Sequence, residues 1–348
     1  MKDFNNLILF GKSYSKQELL EKSRKSSNRA DWEEDFWPFI QAWLNEEDTV
    51  DVQTSGSTGR PKIIKLSKDK MLASASSTCQ YFKLKVGDKA LLCMSPKHIG
   101  GIMMIVRAFY AQLDLHVVLP SSNPLENETI DYDFIAVVPY QASITLEHHP
   151  KKLSRIKHVL LGGGKVDRSL EQQLTQANVQ AYSSFGMTET ISHFAIRKIG
   201  NSEAYTCLPG YHIDLSADGT LIVHAPALQD QAIQTKDIIE YLSPSSFNWL
   251  GRSDFAIESG GVKILPEQVE QALSMNISER FFITSQAHPN LNNEVVLVIE
   301  GKERELEDKL FDRLPKYHRP RKIVFLPKFV ETASGKINRL ATASLLKN

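Results

Sequence analysis

Short apolar runs that alternate with amphipathic segments between Ala90 and Ser183 constrain the fold of this chain more than any other feature. The runs ALLCM, LHVVL, DFIAVV and HVLLG have the length and the aliphatic content of buried strands. Helical patterns lie between some of them, near Gly101–Leu113 and Asp167–Gln176. Because buried strands that alternate with helices are typical of layered α/β proteins, we predict an α/β fold with a largely parallel sheet.

The segments on either side of this region have other patterns. Residues 1–50 have the character of a polar, helical lead-in. Residues 205–250 alternate in a strand-like way around the turn signal Asp218-Gly219, which predicts a small β-subdomain. In the lead-in, five apolar side chains recur at near-helical spacing and indicate a packing stripe, namely Trp32, Phe36, Trp37, Ile40 and Trp43.

The pattern changes again after Asp254. We expect a helix from Pro266, strands at RFFITSQAH, NEVVLVIEG and KIVFLP, and a charged helix over Lys302–Leu314. These elements predict a compact α+β unit. The sequence therefore predicts a large α/β domain over residues 1–253, which includes the β-subdomain, and a small α+β domain over residues 254–348.

Composition narrows the class of protein. The 41 basic and 41 acidic residues cancel, so nothing favours nucleic acid or an anionic membrane as a partner. The longest apolar stretch, Ile99–Val106, is too short to span a bilayer, and no cleavage site follows the brief apolar run near the N-terminus. The three cysteines are scattered, which argues against a disulfide framework. We expect a cytoplasmic enzyme or binding protein.

The stretch DVQTSGSTGRPKIIKLS suggests a phosphate site. It is not a Walker A loop, because Pro61 stands where the second glycine belongs, and its Gly-Ser-Thr-Gly order does not fit a nucleophile elbow. One interpretation is a hairpin whose glycines only permit positive φ. The other is a cradle for phosphate oxygens beside Lys62, formed by backbone N–H groups and the hydroxyls of Thr54, Ser55, Ser57 and Thr58.

Further segments follow in order: LLGGGKV, YSSFGMTET, QTKDII, NWLGRSDFAIESGGVKILPEQVE and ETASGKINR. Each alone has an ordinary explanation, such as a strand-to-turn signal, a solvated loop glutamate or a solvated tail lysine. Together with the phosphate loop they resemble the motifs of the adenylate-forming superfamily, which comprises acyl-CoA synthetases, luciferases and peptide-synthetase adenylation domains. The resemblance covers nearly the whole chain after residue 50.

The resemblance implies a site for ATP and coenzyme A. The phosphate loop would bind the β- and γ-phosphates, Phe185 would pack by the adenine, the Thr188 hydroxyl would meet the α-phosphate, and Glu189 would help to hold Mg²⁺. The binding residues that it implies are Thr54, Ser55, Gly56, Ser57, Thr58, Gly59, Lys62, Gly163, Gly164, Lys165, Ser184, Phe185, Gly186, Met187, Asp237, Arg252, Gly260 and Gly261.

The same resemblance implies two half-reactions. Asp237 would accept hydrogen bonds from both ribose hydroxyls, and Arg252 would contact the ribose or a phosphate. Lys336 would bond the acid carboxylate and the α-phosphate while acyl-AMP forms. The small domain would then rotate about Asp254, and its Gly260-Gly261 loop would line the tunnel for the pantetheine arm of coenzyme A.

The segment MSPKHIGGIMMIVRAFYAQLDLHVV resembles the one that holds the superfamily's histidine near the acyl site, here His98. With the brief region before the phosphate loop, it resembles the short o-succinylbenzoate–CoA ligases of menaquinone synthesis. Gly100–Met104 would face the aromatic ring, and Arg107, or Ser192 and His193, would meet the second carboxylate. The alternatives are a salt bridge on the helix surface for Arg107 and a core position for His98.

Two other functions stay open at this point: another aryl- or small-acid CoA ligase, and a stand-alone adenylation domain that loads a carrier protein. A non-catalytic adenylate-binding protein is disfavoured, because Thr188, Glu189, Asp237 and Lys336 are all present. The expected partners are a small carboxylic acid, ATP with Mg²⁺, and coenzyme A. We expect no nucleic acid and no membrane insertion.

Overall fold

A computed structural model describes residues 5–24, 30–54, 62–331 and 337–347 of the chain. Within these residues the structure has helices α1 (Lys16–Arg24), α2 (Glu33–Leu44), α3 (Lys68–Phe82), α4 (Ile99–Ala111), α5 (Pro139–His148), α6 (Pro150–Ser154), α7 (Arg168–Gln176), α8 (Pro266–Leu273) and α9 (Arg339–Ser344).

The strands in the first two thirds of the chain are β1 (Leu7–Leu9), β2 (Lys12–Tyr14), β3 (Thr49–Thr54), β4 (Lys62–Ser67), β5 (Lys89–Leu92), β6 (Asp114–Val117), β7 (Phe134–Val137), β8 (His158–Leu161), β9 (Ala181–Gly186), β10 (His193–Lys198), β11 (Tyr205–Cys207), β12 (His212–Leu215) and β13 (Thr220–His224). They are followed by β14 (Ile233–Ser243), β15 (Ser246–Arg252), β16 (Ile257–Ser259), β17 (Val262–Ile264), β18 (Phe281–His288), β19 (Asn292–Glu300) and β20 (Lys322–Leu326).

The chain divides into two compact units. The first consists of Met1–Val166, Leu170–Ile213 and His224–Ile233. The second consists of Asp167–Ser169, Asp214–Val223 and Gln234–Asn348. The domain boundary predicted at Asp254 rests on the hinge that the resemblance implies, and not on the compactness of the two units. That boundary stays a prediction.

The first unit is built around the predicted parallel sheet. Its strands lie in the order β11-β10-β9-β8-β7-β5-β6-β1-β2, and β9, β8, β7, β5, β6 and β1 pair in parallel. Aliphatic side chains of β5, β7 and β8 form one buried cluster with Ala142 of α5 and Leu174 of α7. The strands and helices predicted between Ala90 and Ser183 are therefore confirmed.

The lead-in is helical only in part. The packing stripe is confirmed for Phe36, Trp37, Ile40 and Trp43 of α2, which are buried, whereas Trp32 lies at the position before α2 and is partly buried. Leu7–Leu9 and Lys12–Tyr14, however, form an antiparallel hairpin, so the helical prediction is wrong there. The two residues of its tight turn, Phe10 and Gly11, have φ angles of 50° and 75°. A turn with positive φ at both central residues matches the right-handed twist of paired strands.

The second unit contains most residues of the predicted β-subdomain strands β12-β13-β14-β15, and a second sheet in the order β17-β16-β19-β18, with β20 parallel to β19. Its core gathers Ile264, Val269, Leu273, Ile283 and Leu297. The helix from Pro266 and the three predicted strands are confirmed.

The charged helix predicted over Lys302–Leu314 is wrong, because that segment has only a 3₁₀ turn at Asp308–Phe311. The basic side chain of Arg304 does not form an ion pair along a helix. Arg304 reaches back to Glu279, to which it donates two hydrogen bonds of 2.9 and 3.2 Å. Phe311 and Leu314 still reach the core. A tertiary ion pair and core packing thus replace the helical arrangement.

In the part of the chain that the structure describes, no helix combines the length and the apolar character needed to cross a membrane.

Candidate active site

The phosphate loop lies between the two strands of a hairpin. β3 and β4 pair antiparallel, with Thr54 opposite Lys62, so the prediction of strands on both sides of the loop is confirmed. For these two residues the structure describes the backbone alone. The remaining loop residues, Ser55, Gly56, Ser57, Thr58 and Gly59, and the predicted catalytic Lys336 lie outside the described residues.

The glycines after β8 form a turn that packs against the start of α5. Gly163 has φ of +75°, a conformation that favours glycine. A Cβ at Gly163 would lie 3.4 Å from Val138, and a Cβ at Gly164 would lie 3.6 Å from Pro139. Lys165 follows this turn with an exposed side chain. The turn therefore leaves backbone uncovered by side chains, as the prediction of an adenine-lining segment requires.

The end of β9 holds the predicted aromatic residue and the nearby hydroxyl. The Ser184 hydroxyl donates to the carbonyl oxygen of Leu161 at 2.8 Å, which ties β9 to β8. Phe185 is half-buried and packs edge-on against Phe194, with ring centroids 5.7 Å apart. Gly186 has no room for a side chain, because a Cβ would lie 2.4 Å from the carbonyl oxygen of Ser192.

Thr188 and Glu189 lie on a 3₁₀ turn, Thr188–Thr190, directly after β9, with Met187 before it. Both side chains are exposed. Thr190 is fully buried, and its hydroxyl accepts from the N–H of Met187 at 3.0 Å and lies 2.6 Å from the carbonyl oxygen of Ser192. Its hydrogen bonds hold the turn so that the Thr188 hydroxyl and the Glu189 carboxylate face outward.

Arg107 lies on α4, in the run Gly101–Phe109 that is buried throughout. The residue is 2% exposed, and no carboxylate among the described residues reaches it. Its Nη2 donates to the Ser192 hydroxyl at 3.2 Å, and its Nε has no hydrogen-bond partner there. Burial lowers the pKa of Arg107 to about 10, so it remains a cation at neutral pH. The surface salt bridge is therefore wrong.

His193 continues this buried polar group. Its Nδ1 lies 3.3 Å from the Ser192 hydroxyl, and its Nε2 lies 3.2 Å from the Thr78 hydroxyl, which donates to the carbonyl oxygen of Ser74. Because Thr78 uses its proton on that carbonyl, we assign the proton of the neutral imidazole to Nε2. Burial first, and then the charge of Arg107, hold the pKa of His193 well below its usual value.

The structure thus brings together the three residues that were predicted for a second carboxylate: Arg107, Ser192 and His193. Met103 and Met104, predicted to face the ring, lie on the same helix as Arg107 and are buried. His98 lies at the position before α4 and is exposed, so its assignment to the core is wrong. The catalytic role of His98 stays a prediction.

In the second unit, Asp237 is buried on β14. It accepts a hydrogen bond from the indole N–H of Trp249 at 2.9 Å, and Arg252 Nη1 lies 3.9 Å from the same oxygen. Burial, the largest influence, raises the pKa of Asp237. Arg252 donates two hydrogen bonds to Asp254, of 3.0 and 2.8 Å, and these lower the pKa of Asp254.

Gly260 and Gly261 form the two-residue turn between β16 and β17. Their φ angles are +58° and +80°, and both are positive as a tight hairpin turn requires. The turn is exposed at Gly260 and Gly261. Their local conformation therefore has a structural explanation, and their proposed contact with coenzyme A stays a prediction.

Three contacts of the site were not predicted from the sequence. Trp249 reaches Asp237 because the pairing of β14 with β15 shifts between Ile238 and Ile239. Gly251, inside β15 at that shift, is a local signal for such an irregularity. Thr78 lies 115 positions from His193. Thr190 does have a local signal, because a threonine in a tight turn commonly bonds nearby backbone.

Comparisons with known proteins agree with this description. A family model described as AMP-binding enzyme matches residues 7–215. The 2-succinylbenzoate–CoA ligase of Haemophilus influenzae is 25% identical over 319 residues, which cover 84% of this chain and 70% of the relative.

Solved structures also match. The acyl-CoA synthetase (AMP-forming)/AMP-acid ligase II-like protein from Dyadobacter fermentans is 33% identical, with a TM-score of 0.64 over 94% of this chain and 97% of that chain. The o-succinylbenzoate coenzyme A synthetase of Bacillus subtilis, solved in complex with ATP and magnesium ion, has a TM-score of 0.77 over 97% of each chain. At 17% identity it shows the fold alone, and it confirms the predicted α/β class.

Proposed function

The chain belongs to the AMP-binding enzyme family, and from that premise we propose that it is an ATP-dependent acid–CoA ligase whose acid is 2-succinylbenzoate. The reaction joins the acid to coenzyme A through an acyl-AMP intermediate and releases AMP and pyrophosphate. The product would serve menaquinone biosynthesis. The curated relative of Haemophilus influenzae carries this activity in its name.

One observation carries the choice of acid: Arg107 is buried as a cation, and no carboxylate among the described residues balances it. A buried charge without a partner is costly, and the cost is recovered when an opposite charge enters. 2-Succinylbenzoate brings a second carboxylate in addition to the one that reacts. Arg107 would bind that second carboxylate with its unpartnered Nε and with Nη2.

Ser192 and His193 orient Arg107 rather than bind the acid directly. In the assigned network the Ser192 hydroxyl accepts from Arg107 and donates to Nδ1 of His193, so it has no proton left for a carboxylate. His193 is neutral, so it adds no second positive charge to the pocket. Arg107 would therefore be the residue that selects a dicarboxylic acid.

The nucleotide is assigned to the residues around the turn after β9. The Thr188 hydroxyl would donate to an oxygen of the α-phosphate, and Phe185 would pack beside the adenine. The Gly163 and Gly164 backbone would approach the base where a side chain would obstruct it. Asp237 would accept hydrogen bonds from the ribose hydroxyls, and Arg252 would contact the ribose or a phosphate.

The residues of the chain also fit Mg²⁺. Glu189 offers an exposed carboxylate on a fixed turn, and no group of three potential ligands occurs among the described residues. Mg²⁺ is usually held by one or two carboxylates while phosphate oxygens and water complete its shell, so one glutamate beside bound ATP is sufficient. When bound, the ion would neutralise charge on the phosphates.

Catalysis would rest on positioning and on stabilisation of charge. With its second carboxylate at Arg107, the acid would present the reacting carboxylate in line with the α-phosphorus. The hydroxyl of Thr188 and the ammonium of Lys336 would stabilise negative charge that develops on the α-phosphate. Rotation of a small domain about Asp254, and entry of coenzyme A past Gly260 and Gly261, belong to the same proposal.

We also propose a cytoplasmic location. Cys79, Cys93 and Cys207 are buried free thiols, and burial raises the pKa of each to about 12. Unpaired cysteines are what a reducing compartment permits.

A panel of acids tests the function. Pyrophosphate release is measured with 2-succinylbenzoate, benzoate and short fatty acids, and thioester formation with either coenzyme A or a carrier protein as the acceptor. We expect much faster turnover of 2-succinylbenzoate, with coenzyme A as the productive acceptor. Equal or faster turnover of an acid that lacks the second carboxylate would contradict the assignment, and transfer to the carrier alone would favour a stand-alone adenylation domain.

A further inference from the structure

The loop between β9 and β10 contains a strained residue. Ile191 has φ of 64° and ψ of −48°, and the N–H of Ser192 donates to the carbonyl oxygen of Thr190 at 2.7 Å. These values describe the γ-turn with positive φ, which is rare and strained. A β-branched residue is among those that tolerate positive φ least, whereas glycine adopts it without steric cost. Strain of this kind persists only where the surrounding structure enforces it.

Contacts on both sides enforce this turn. The N–H of Ile191 donates to the carbonyl oxygen of Thr188 at 2.9 Å, and the buried Thr190 hydroxyl bridges Met187 and Ser192. Gly186 lies against the backbone of Ser192 so closely that no Cβ would fit between them. The Ile191 side chain itself is 4% exposed. The loop is thus closed by hydrogen bonds and packing around Ile191.

The strained residue separates two parts of the proposed site. Immediately before it lies the turn that carries Thr188 and Glu189. Immediately after it, Ser192 accepts a hydrogen bond from Arg107. An acid that is anchored at Arg107 and reacts at the α-phosphate would span these two parts, so their spacing would set the distance between the reacting atoms. A relaxed turn would change that spacing.

We propose that Ile191 is a positioning residue, and that its strained γ-turn holds the Thr188–Glu189 turn in register with the Arg107–Ser192 contact. This role rests on the proposed function, because it assumes that the two parts act on the two ends of one acid and its nucleotide. The hydrogen bonds and packing around Ile191 hold the loop in this strained conformation and prevent it from relaxing to a neighbouring one of lower backbone energy. The bound acid and ATP would therefore meet a site whose geometry is already set.

The test is a series at one position: Ile191→Val, Ile191→Ala and Ile191→Gly. Valine keeps the β-branch and most of the packing and should behave as the wild type. Alanine and glycine both lose the buried side chain. Glycine alone adopts positive φ without steric cost, and it also gives the loop backbone access to conformations that are closed to alanine. We therefore expect Ile191→Gly to unfold at a higher denaturant midpoint than Ile191→Ala. Its kcat for adenylate formation should nevertheless be lower than that of Ile191→Ala by roughly tenfold or more, since misplacement of reacting groups is costly.

If Ile191→Gly is more stable than Ile191→Ala but has the lower kcat, Ile191 has a positioning role. If the turn has only a structural role, activity follows stability, and Ile191→Gly equals or exceeds Ile191→Ala in kcat; that result overturns the proposal. A wild-type chain that releases no pyrophosphate with any acid overturns the proposed function instead. In that case affinity for ATP with Mg²⁺, measured by calorimetry, decides: weaker binding by Ile191→Gly than by Ile191→Ala supports the positioning role, and equal or tighter binding excludes it.

Discussion

Two arginines of this protein hold their charges in different ways. Arg107 is buried on α4, and no carboxylate among the described residues reaches it. Arg252, at the end of β15, is partly exposed and donates two hydrogen bonds to Asp254, with Asp237 3.9 Å away. Burial lowers the pKa of Arg107, whereas the hydrogen bonds to Asp254 raise that of Arg252.

The difference shows which of the two arginines is better able to bind an anionic ligand. A ligand that binds Arg252 must compete with carboxylates that already balance it. Arg107 has lost its hydration during folding, so an incoming anion meets a cation that is fixed by packing and that water does not screen. Burial of this charge destabilises the unliganded protein, and binding of an anion at Arg107 would recover part of that free energy.

The largest effect should follow from removal of the unbalanced charge. Arg107→Met leaves the second carboxylate buried without a partner, which costs about 3–5 kcal/mol. We expect kcat/KM for 2-succinylbenzoate to fall by roughly two to four orders of magnitude, with little change for benzoate. Without ligand, the variant should be more stable to denaturant than the wild type, by about 1–4 kcal/mol. Acid panels and denaturant titrations measure the two quantities.

Arg252→Met is the matched control for that experiment, because it makes the same substitution where the charge is already balanced. Its preference for 2-succinylbenzoate over benzoate should equal that of the wild type. If Arg107→Met kept its preference while Arg252→Met lost it, the roles assigned to the two arginines would be reversed.

The sequence predicted structure that depends on local patterns and missed structure that depends on tertiary contacts. The strands of the parallel sheet were predicted, because short aliphatic runs such as HVLLG have few alternatives in a chain of this size. Lys302–Leu314 was mistaken for a helix, because its apolar spacing fits one. The tertiary pair of Arg304 with Glu279, which joins residues 25 positions apart, is invisible to a local pattern.

At the site, residue types were predictable and their surroundings were not. Arg107 was identified as a candidate, but its surface alternative could have been rejected, because α4 is apolar all round and a charge on such a helix must be buried. Ile191 gave no signal, since its strain arises from contacts of the folded loop. The strained backbone is a property of the packing, and the residue type argues against it.

A smaller effect should follow from a change to Asp237, the buried carboxylate near Arg252. Asp237→Asn keeps an oxygen for the indole N–H of Trp249 but loses one acceptor for the ribose. We expect ATP to bind more weakly by roughly 1.5–3 kcal/mol, since the lost hydrogen bond involves a charged group. Affinity for the acid should hardly change. Calorimetry with ATP checks this, and an unaltered ATP affinity would remove Asp237 from the site.

The difference in stability between the same variant and the wild type should depend on pH. Burial raises the pKa of Asp237, so the folded state favours the protonated carboxyl. The wild type therefore loses stability as the pH rises through this raised pKa, whereas Asp237→Asn does not. The variant should gain stability relative to the wild type between pH 4 and pH 7, as measured by urea titration. A relative gain that shrinks with rising pH would show that Arg252 and Trp249 outweigh burial.

The smallest effect should follow from removal of the balanced charge. The side chain of Arg252 is 37% exposed, and its pair with Asp254 is reached by water and salt. Exposed pairs contribute little, so Arg252→Met should destabilise the unliganded protein by less than about 1 kcal/mol. Added salt should reduce the loss, because screening weakens the pair in the wild type. Denaturant titrations at low and high salt measure this difference. A loss above about 2 kcal/mol that is insensitive to salt would mean that Arg252 chiefly neutralises the buried Asp237, and the two arginines would then resemble each other more than their surroundings indicate.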